Sequence, residues 1–118
     1  MQAKDRLGRF GESLAVGYLE RAGMAVLDRN WRCDQGEIDI VARDGDTLVV
    51  CEVKTRSGER YGSPLEGVTP AKLGRLYRLA ACWLAAHGLR PREVRVDVVG
   101  ILRDGERAIS IDHLRGVR

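Results

Sequence analysis

The sequence predicts an α/β domain, a mixed β-sheet with helices packed on its faces, in the order α-β-β-β-α-β-β over residues 1–118. Three observations carry this. An apolar stripe at three- and four-residue spacing opens the chain. A run of alternating, β-branched segments broken by Asp-Gly turns follows it. A second amphipathic helix then separates two of those segments, which implies a crossover and a parallel strand pair.

Residues 4–22 read as the first helix, with Leu7, Phe10, Leu14, Tyr18 and Ala22 on one stripe, Gly11 and Ala15 beside them, and Gly23 as the stop. Residues 24–33 read as a strand. Residues 37–43 and 47–55 form a hairpin around Asp44-Gly45, a strong short-range turn signal. Residues 57–68, rich in glycine and charge, read as a loop with little core of its own and as the most mobile internal segment. Thr69 and Pro70 supply an N-cap and a first-turn proline for a second helix. Its stripe is Leu73, Leu76, Tyr77, Ala80, Leu84 and His87, with Trp83 on the flank, and Gly88 ends it. Residues 94–102 and 108–114 are strands joined by Asp104-Gly105.

A chain of 118 residues, 44% apolar and 31% charged, suits one soluble domain with one core. No run approaches the ~18 apolar residues of a membrane span, and the first residues lack the apolar stretch of a secretory signal. Cys33, Cys51 and Cys82 are odd in number and form no CxxC, which argues for small buried thiols in a reducing, cytoplasmic setting. His87 reads as helix-end packing and His113 as a surface residue. Asp97, on an apolar strand, reads as the partner of an arginine or of Trp31. No Ser/His/Asp set, phosphate-binding glycine loop or dinucleotide fingerprint is present. Net charge is +3, and 17 of the 20 basic residues are arginine. Arginine suits bidentate phosphate contacts; codon bias is the competing explanation.

The hairpin carries the chemistry. With Asp44-Gly45 as its two-residue loop, Arg43 pairs with Asp46, Asp39 lies opposite Val50, and Glu37 opposite Glu52. Alternation then puts Glu37, Asp39, Glu52 and Lys54 on one face. Asp39 and Glu52 become diagonal neighbours, ~7–8 Å apart at the backbone. Carboxylates so close repel unless a cation sits between them. Hard oxygen donors at such separation suit Mg²⁺ or Mn²⁺. Lys54 points into the same pocket, where an ammonium can hold an anion or steer a water. Glu12 lies roughly 100° off the first helix's apolar stripe. Gly8 and Gly11 beside it permit close approach to a strand, which puts Glu12 either at the pocket rim or in solvent.

Asp39-x12-Glu52-x-Lys54 resembles the PD-(D/E)xK signature of the restriction-endonuclease-like superfamily. RFGESLAVGYLE, NWRCDQGEIDIVARDGDTLVVCEVKTR, GSPLEGVTPAKLGRL and VRVDVVGI, in that order, resemble the YraN-like family of small bacterial proteins over residues ~4–112. That family is similar in fold to the archaeal Holliday-junction resolvases. The resemblance implies a restriction-endonuclease-like sheet. Asp39 matches the motif aspartate, Glu52 and Lys54 the (D/E)xK pair, and Glu12 the acidic residue that resolvase-type members add on the first helix. Ile38 stands where the nominal proline would be, and Glu37 lies outside the signature as an outer acid or a solvated one.

What the resemblance implies is metal-dependent hydrolysis of DNA or RNA phosphodiesters, structure-selective in the manner of a junction resolvase. Asp39 and Glu52, with the carbonyl of Val53 and Glu12, would hold Mg²⁺ or Mn²⁺, and Lys54 would act on the water or the transition state. Arg56, Arg60 and Tyr61 are candidate backbone or stacking contacts, or ordinary loop polarity. Lys72 could reach phosphate at a helix N-terminus. By analogy with junction enzymes a homodimer is implied. The alternative is a nucleic-acid-binding or assembly module that keeps the fold with little turnover.

Overall fold

The computed structural model describes residues 3–57, 66–104 and 107–118. Helix α1 is Ala3–Arg21, followed by strands β1 (Ala25–Cys33), β2 (Gly36–Asp44) and β3 (Thr47–Ser57). Helix α2 is Pro70–His87, and β4 (Glu93–Asp104) and β5 (Arg107–Leu114) complete the order α-β-β-β-α-β-β. The five strands lie in sequence order across one sheet. Only β3 and β4, the pair that α2 connects, run parallel. The mixed sheet flanked by helices is therefore the predicted one. The 57–68 loop and the Asp104-Gly105 turn lie largely outside the described residues, as do Arg60 and Tyr61. No helix among the described residues is long and apolar enough to cross a membrane.

Each helix covers one face. Ala15 and Leu19 of α1 bury against Ile40, Ala42, Val49, Cys51, Val99 and Ile101. Leu76, Leu79, Ala80 and Trp83 of α2 bury against Ile38, Val41, Leu48, Val50 and Val96. Thr69 caps α2 by accepting from the Lys72 backbone N–H at 3.1 Å, and Gly88 ends it in the left-handed region. Trp83 is not on the flank of that helix but at its centre, 2% exposed, with Nε1 donating to Asp28 Oδ2 at 3.0 Å. This part-buried carboxylate gives the indole N–H the partner it needs inside.

Two expectations are corrected. The hairpin loop is Gly45-Asp46, and Asp44 closes the ladder against Thr47. Asp44 stays extended because Arg95 binds its carboxylate at 3.1 Å, and Gly45 takes the positive φ of 62° that favours glycine. Every partner moves by two residues, so the parity holds: Arg43 pairs with Leu48, not Asp46. His113 is buried rather than on the surface, its side chain 4% exposed. Its Nε2 lies 2.7 Å from Asp97 Oδ2 and its Nδ1 3.1 Å from the Tyr18 hydroxyl. Asp97, fully buried, also accepts from Arg95 Nε at 2.9 Å and from the Gly116 N–H at 3.0 Å, which ties the chain's last residues to the sheet. Its partner is the arginine, and the tryptophan that bonds a carboxylate is Trp83 with Asp28.

Candidate functional site

The β2–β3 ladder runs from Asp44↔Thr47 to Ile40↔Cys51 and stops there. The next pair along would be Asp39 and Glu52, opposite rather than diagonal as the other loop placement had it. Simple alternation fails at this point. Ile38 packs under α2 while Ile40, two residues on, packs under α1. Across the β1–β2 register the break is matched at Asn30, which sits between the Trp31↔Ile38 and Arg29↔Ile40 pairs at φ 51°. Asparagine tolerates that left-handed conformation better than most residues.

The break turns the Asp39 side chain into the gap between the two strands. Its Oδ2 accepts from the Val53 backbone N–H at 2.8 Å, in place of a ladder bond. Because the N–H and C=O of one strand residue point to the same side, the Val53 carbonyl faces the same gap. Cys51 and Val53 pack under α1, so Glu52 and Lys54 project towards α2. Glu52 Oε1 lies 3.2 Å from Lys72 Nζ in the first turn of α2. Lys54 Nζ lies beside Gly67, just before that helix. Arg56, half-buried, is close enough to Lys54 for its charge to be felt there.

Glu12 comes from the other side. At Gly11 the helix α1 meets β3 so closely that an added Cβ would lie 1.7 Å from Thr55 Oγ1. That approach keeps Glu12 near enough to act on Asp39 electrostatically. Glu37 is not a free acid: Arg32 Nε lies 3.1 Å from it across the β1–β2 pair.

The electrostatics follow from this crowding. Burial, with Glu52, Glu12 and Glu37 adding to it and the Val53 N–H pulling the other way, pushes the Asp39 carboxyl up to about 7. Burial and the neighbouring Lys72 hold Lys54 below the usual lysine range. Among the described residues Asp39 has no ion-pair partner of its own, and no three His, Cys, Asp or Glu side chains already cage a metal. The donor set nonetheless fits a hard divalent ion: carboxylate oxygens and a strand carbonyl, with negative charge that the protein leaves uncompensated at Asp39.

Of the residues singled out in the sequence, the fold brings Asp39, Val53, Glu52, Lys54, Arg56 and Lys72 together and sets Glu12 nearby. It puts Lys72 on Glu52 rather than out towards a ligand. The sequence reading missed a basic stripe. Helix α2 contains no acidic residue, and exposes Arg75 and Arg78 beyond Lys72, neither with an ion-pair partner among the described residues. Its signal was visible as cations at three-residue spacing with no acid between them.

A mixed sheet with a parallel central pair joined by a crossover helix, and an acidic strand pair at its heart, defines a restriction-endonuclease-like protein. Within that class the chain belongs to the family described as "Uncharacterised protein family UPF0102", the YraN-like family, whose model matches residues 11–101. It is 60% identical over 117 residues to a "UPF0102 protein" of Arthrobacter sp. (strain FB24), covering 99% of each chain. It is 56% identical over 117 residues to one of Beutenbergia cavernae, again over 99% of each. A third, from Frankia alni, is 55% identical over 116 residues, spanning 98% of this chain and 97% of its own.

Proposed function

We propose that this protein is a metal-dependent nuclease-like hydrolase of nucleic-acid phosphodiester bonds. The observation that carries the proposal is Asp39: a carboxylate fixed in a strand gap by Val53, beside Glu52, with a pKa of about 7 from burial and crowded acids. Strongly perturbed carboxyl groups of this kind cluster at functional sites. Asp39 and Glu52, with the Val53 carbonyl and Glu12, would hold Mg²⁺ or Mn²⁺. A divalent ion there supplies Lewis-acid chemistry, activating water and offsetting the charge that grows on the phosphate. Lys54, on the Glu52 side of the gap, holds the phosphate oxygens and orients the water through its ammonium. Arg56 contacts the adjoining backbone, and the exposed Arg75 and Arg78 on α2 suit further phosphates. Cutting two strands of a junction needs two such sites, for which a homodimer is the simplest assembly.

One observation favours the second reading, a nucleic-acid-binding or assembly module with little turnover. Glu52 is already neutralised by Lys72, and no metal cage is preassembled among the described residues. The two separate in a cleavage assay over labelled single strands, flaps and four-way junctions of DNA and RNA, with Mg²⁺, Mn²⁺ or chelator. Metal-dependent cleavage that Asp39→Asn and Lys54→Met both abolish supports the hydrolase. Binding without cleavage in every arm supports the module.

A further inference from the structure

We propose that Lys72 is the stand-in cation of the site: its ammonium holds Glu52 in the metal-free protein and gives way when a divalent ion is bound. This rests on Asp39 and Glu52 being the metal ligands.

The position of Lys72 is otherwise hard to explain. It is the third residue of α2, after the Thr69 cap, Pro70 and Ala71. That is where a capping box places Glu or Gln, whose side chain would turn back to the cap. It is also the positive end of the helix macrodipole, where a cation is unfavourable. No acidic residue in the first turn relieves it. Lys72 therefore weakens the start of its own helix, and the compensating contact is Glu52, 3.2 Å away. The pair is part-buried, with side chains 33% and 17% exposed, so it is screened less than a surface pair.

Lys54 completes the case. Two ammonium groups converge on one glutamate, Lys54 from two residues along the same strand and Lys72 from the start of α2. Of the two, only Lys72 lies within ion-pair distance of Glu52. A divalent ion at Glu52 and Asp39 would repel both lysines, and Lys72, at a helix end and a third exposed, is the one whose contact with Glu52 has to break. Once released, it stands at the start of the Arg75–Arg78 stripe, where a phosphate can take the place of the glutamate.

The test is calorimetric titration of Mn²⁺ into wild type, Lys72→Met, Lys54→Met and Asp39→Asn at matched ionic strength, with a melting curve of each in chelator. Lys72→Met should bind Mn²⁺ roughly tenfold more tightly, since a part-buried ion pair no longer has to be broken. The same variant should melt lower than wild type in chelator, because Glu52 then loses its ion-pair partner while still facing Asp39. Lys54→Met removes the same charge without breaking that contact, so its affinity should rise clearly less. Equal gains in the two lysine variants would reduce the effect to general charge and overturn the proposal, as would unchanged or weaker binding by Lys72→Met. Lys72→Gln repeats the test with a polar side chain, should Lys72→Met not fold. Loss of binding in Asp39→Asn with an unaltered Lys72→Met would sink the stand-in role alone. Absence of binding in wild type and both lysine variants would sink the metal site and the stand-in role together.

Discussion

The backbone N–H of Val53 donates to the carboxylate of Asp39 at 2.8 Å, across the point where β2 and β3 stop pairing. The bond does two things at once. It replaces a missing ladder bond, and it fixes an acidic side chain in the gap. It favours the ionised form, yet burial and three neighbouring carboxylates outweigh it.

The first expected outcome concerns pH. Asp39 has a folded pKa of about 7 against an ordinary value of 3.8. An acid with a raised folded pKa stabilises the fold fully below its unfolded pKa, and that contribution is lost as pH rises through the folded value. In chelator, the stability of wild type minus that of Asp39→Asn should therefore fall between about pH 4 and about pH 7, by at most on the order of 4 kcal/mol. Urea unfolding of both proteins across that range measures it. A difference that stays flat would mean Asp39 is solvated and free of its neighbours.

Gly11 gives the second. At an ordinary helix position Gly→Ala stabilises by up to about 1 kcal/mol. Here the new methyl would lie 1.7 Å from Thr55 Oγ1, so Gly11→Ala should destabilise, by about 1–3 kcal/mol. Adding Thr55→Ala should recover part of that loss, a non-additivity that a double-mutant cycle reads directly. Chemical denaturation of the four proteins decides it.

The third concerns the buried cluster around Asp97. Burial works to raise its pKa, but Arg95, the Gly116 N–H and His113 outweigh it and hold the carboxyl below the usual range. A depressed pKa contributes stability above the unfolded value that is lost as pH falls through the folded one. Asp97→Ala should cost about 3–5 kcal/mol, since it removes the buried acceptor that Arg95, His113 and the Gly116 N–H share, leaving Arg95 only Asp44 and His113 only Tyr18. Asp97→Asn should cost less, and should flatten the acid limb of the stability curve below about pH 4. Equilibrium denaturation at neutral and acid pH checks both.

Much of the fold was legible because periodicity is local. The α1 stripe, the Thr69 cap and the β-branched strands all declare themselves within a few residues. Parity carried the hairpin from Asp44 to Ile40, where a shift of two residues keeps each side chain on its face even though the loop is Gly45-Asp46, but not past the break, where Asp39 turns into the gap and Glu37 leaves the face of Glu52 and Lys54. What sequence could not show depends on distant partners. Asp44 belongs to the strand because Arg95, 51 positions on, binds it. His113 is inside because Asp97 and Tyr18 satisfy both its nitrogens. The break at Asn30 and Asp39 has no periodic signal, being a departure from alternation. Asp39, Glu52 and Lys54 were readable by type and spacing, whereas the Lys72 contact appears only once α2 is folded back on β3.

A thermal melt of wild type and Asp39→Asn, with and without Mn²⁺ at matched ionic strength, tests the metal site most directly. Mn²⁺ binding only the folded state should raise the wild-type melting temperature progressively as its concentration passes the dissociation constant. Asp39→Asn should melt higher than wild type in chelator, having lost one repelling charge, and should respond to Mn²⁺ weakly or not at all. Equal Mn²⁺ responses in the two proteins would mean that Asp39 is no ligand, and the acidic gap between β2 and β3 would then be structural only.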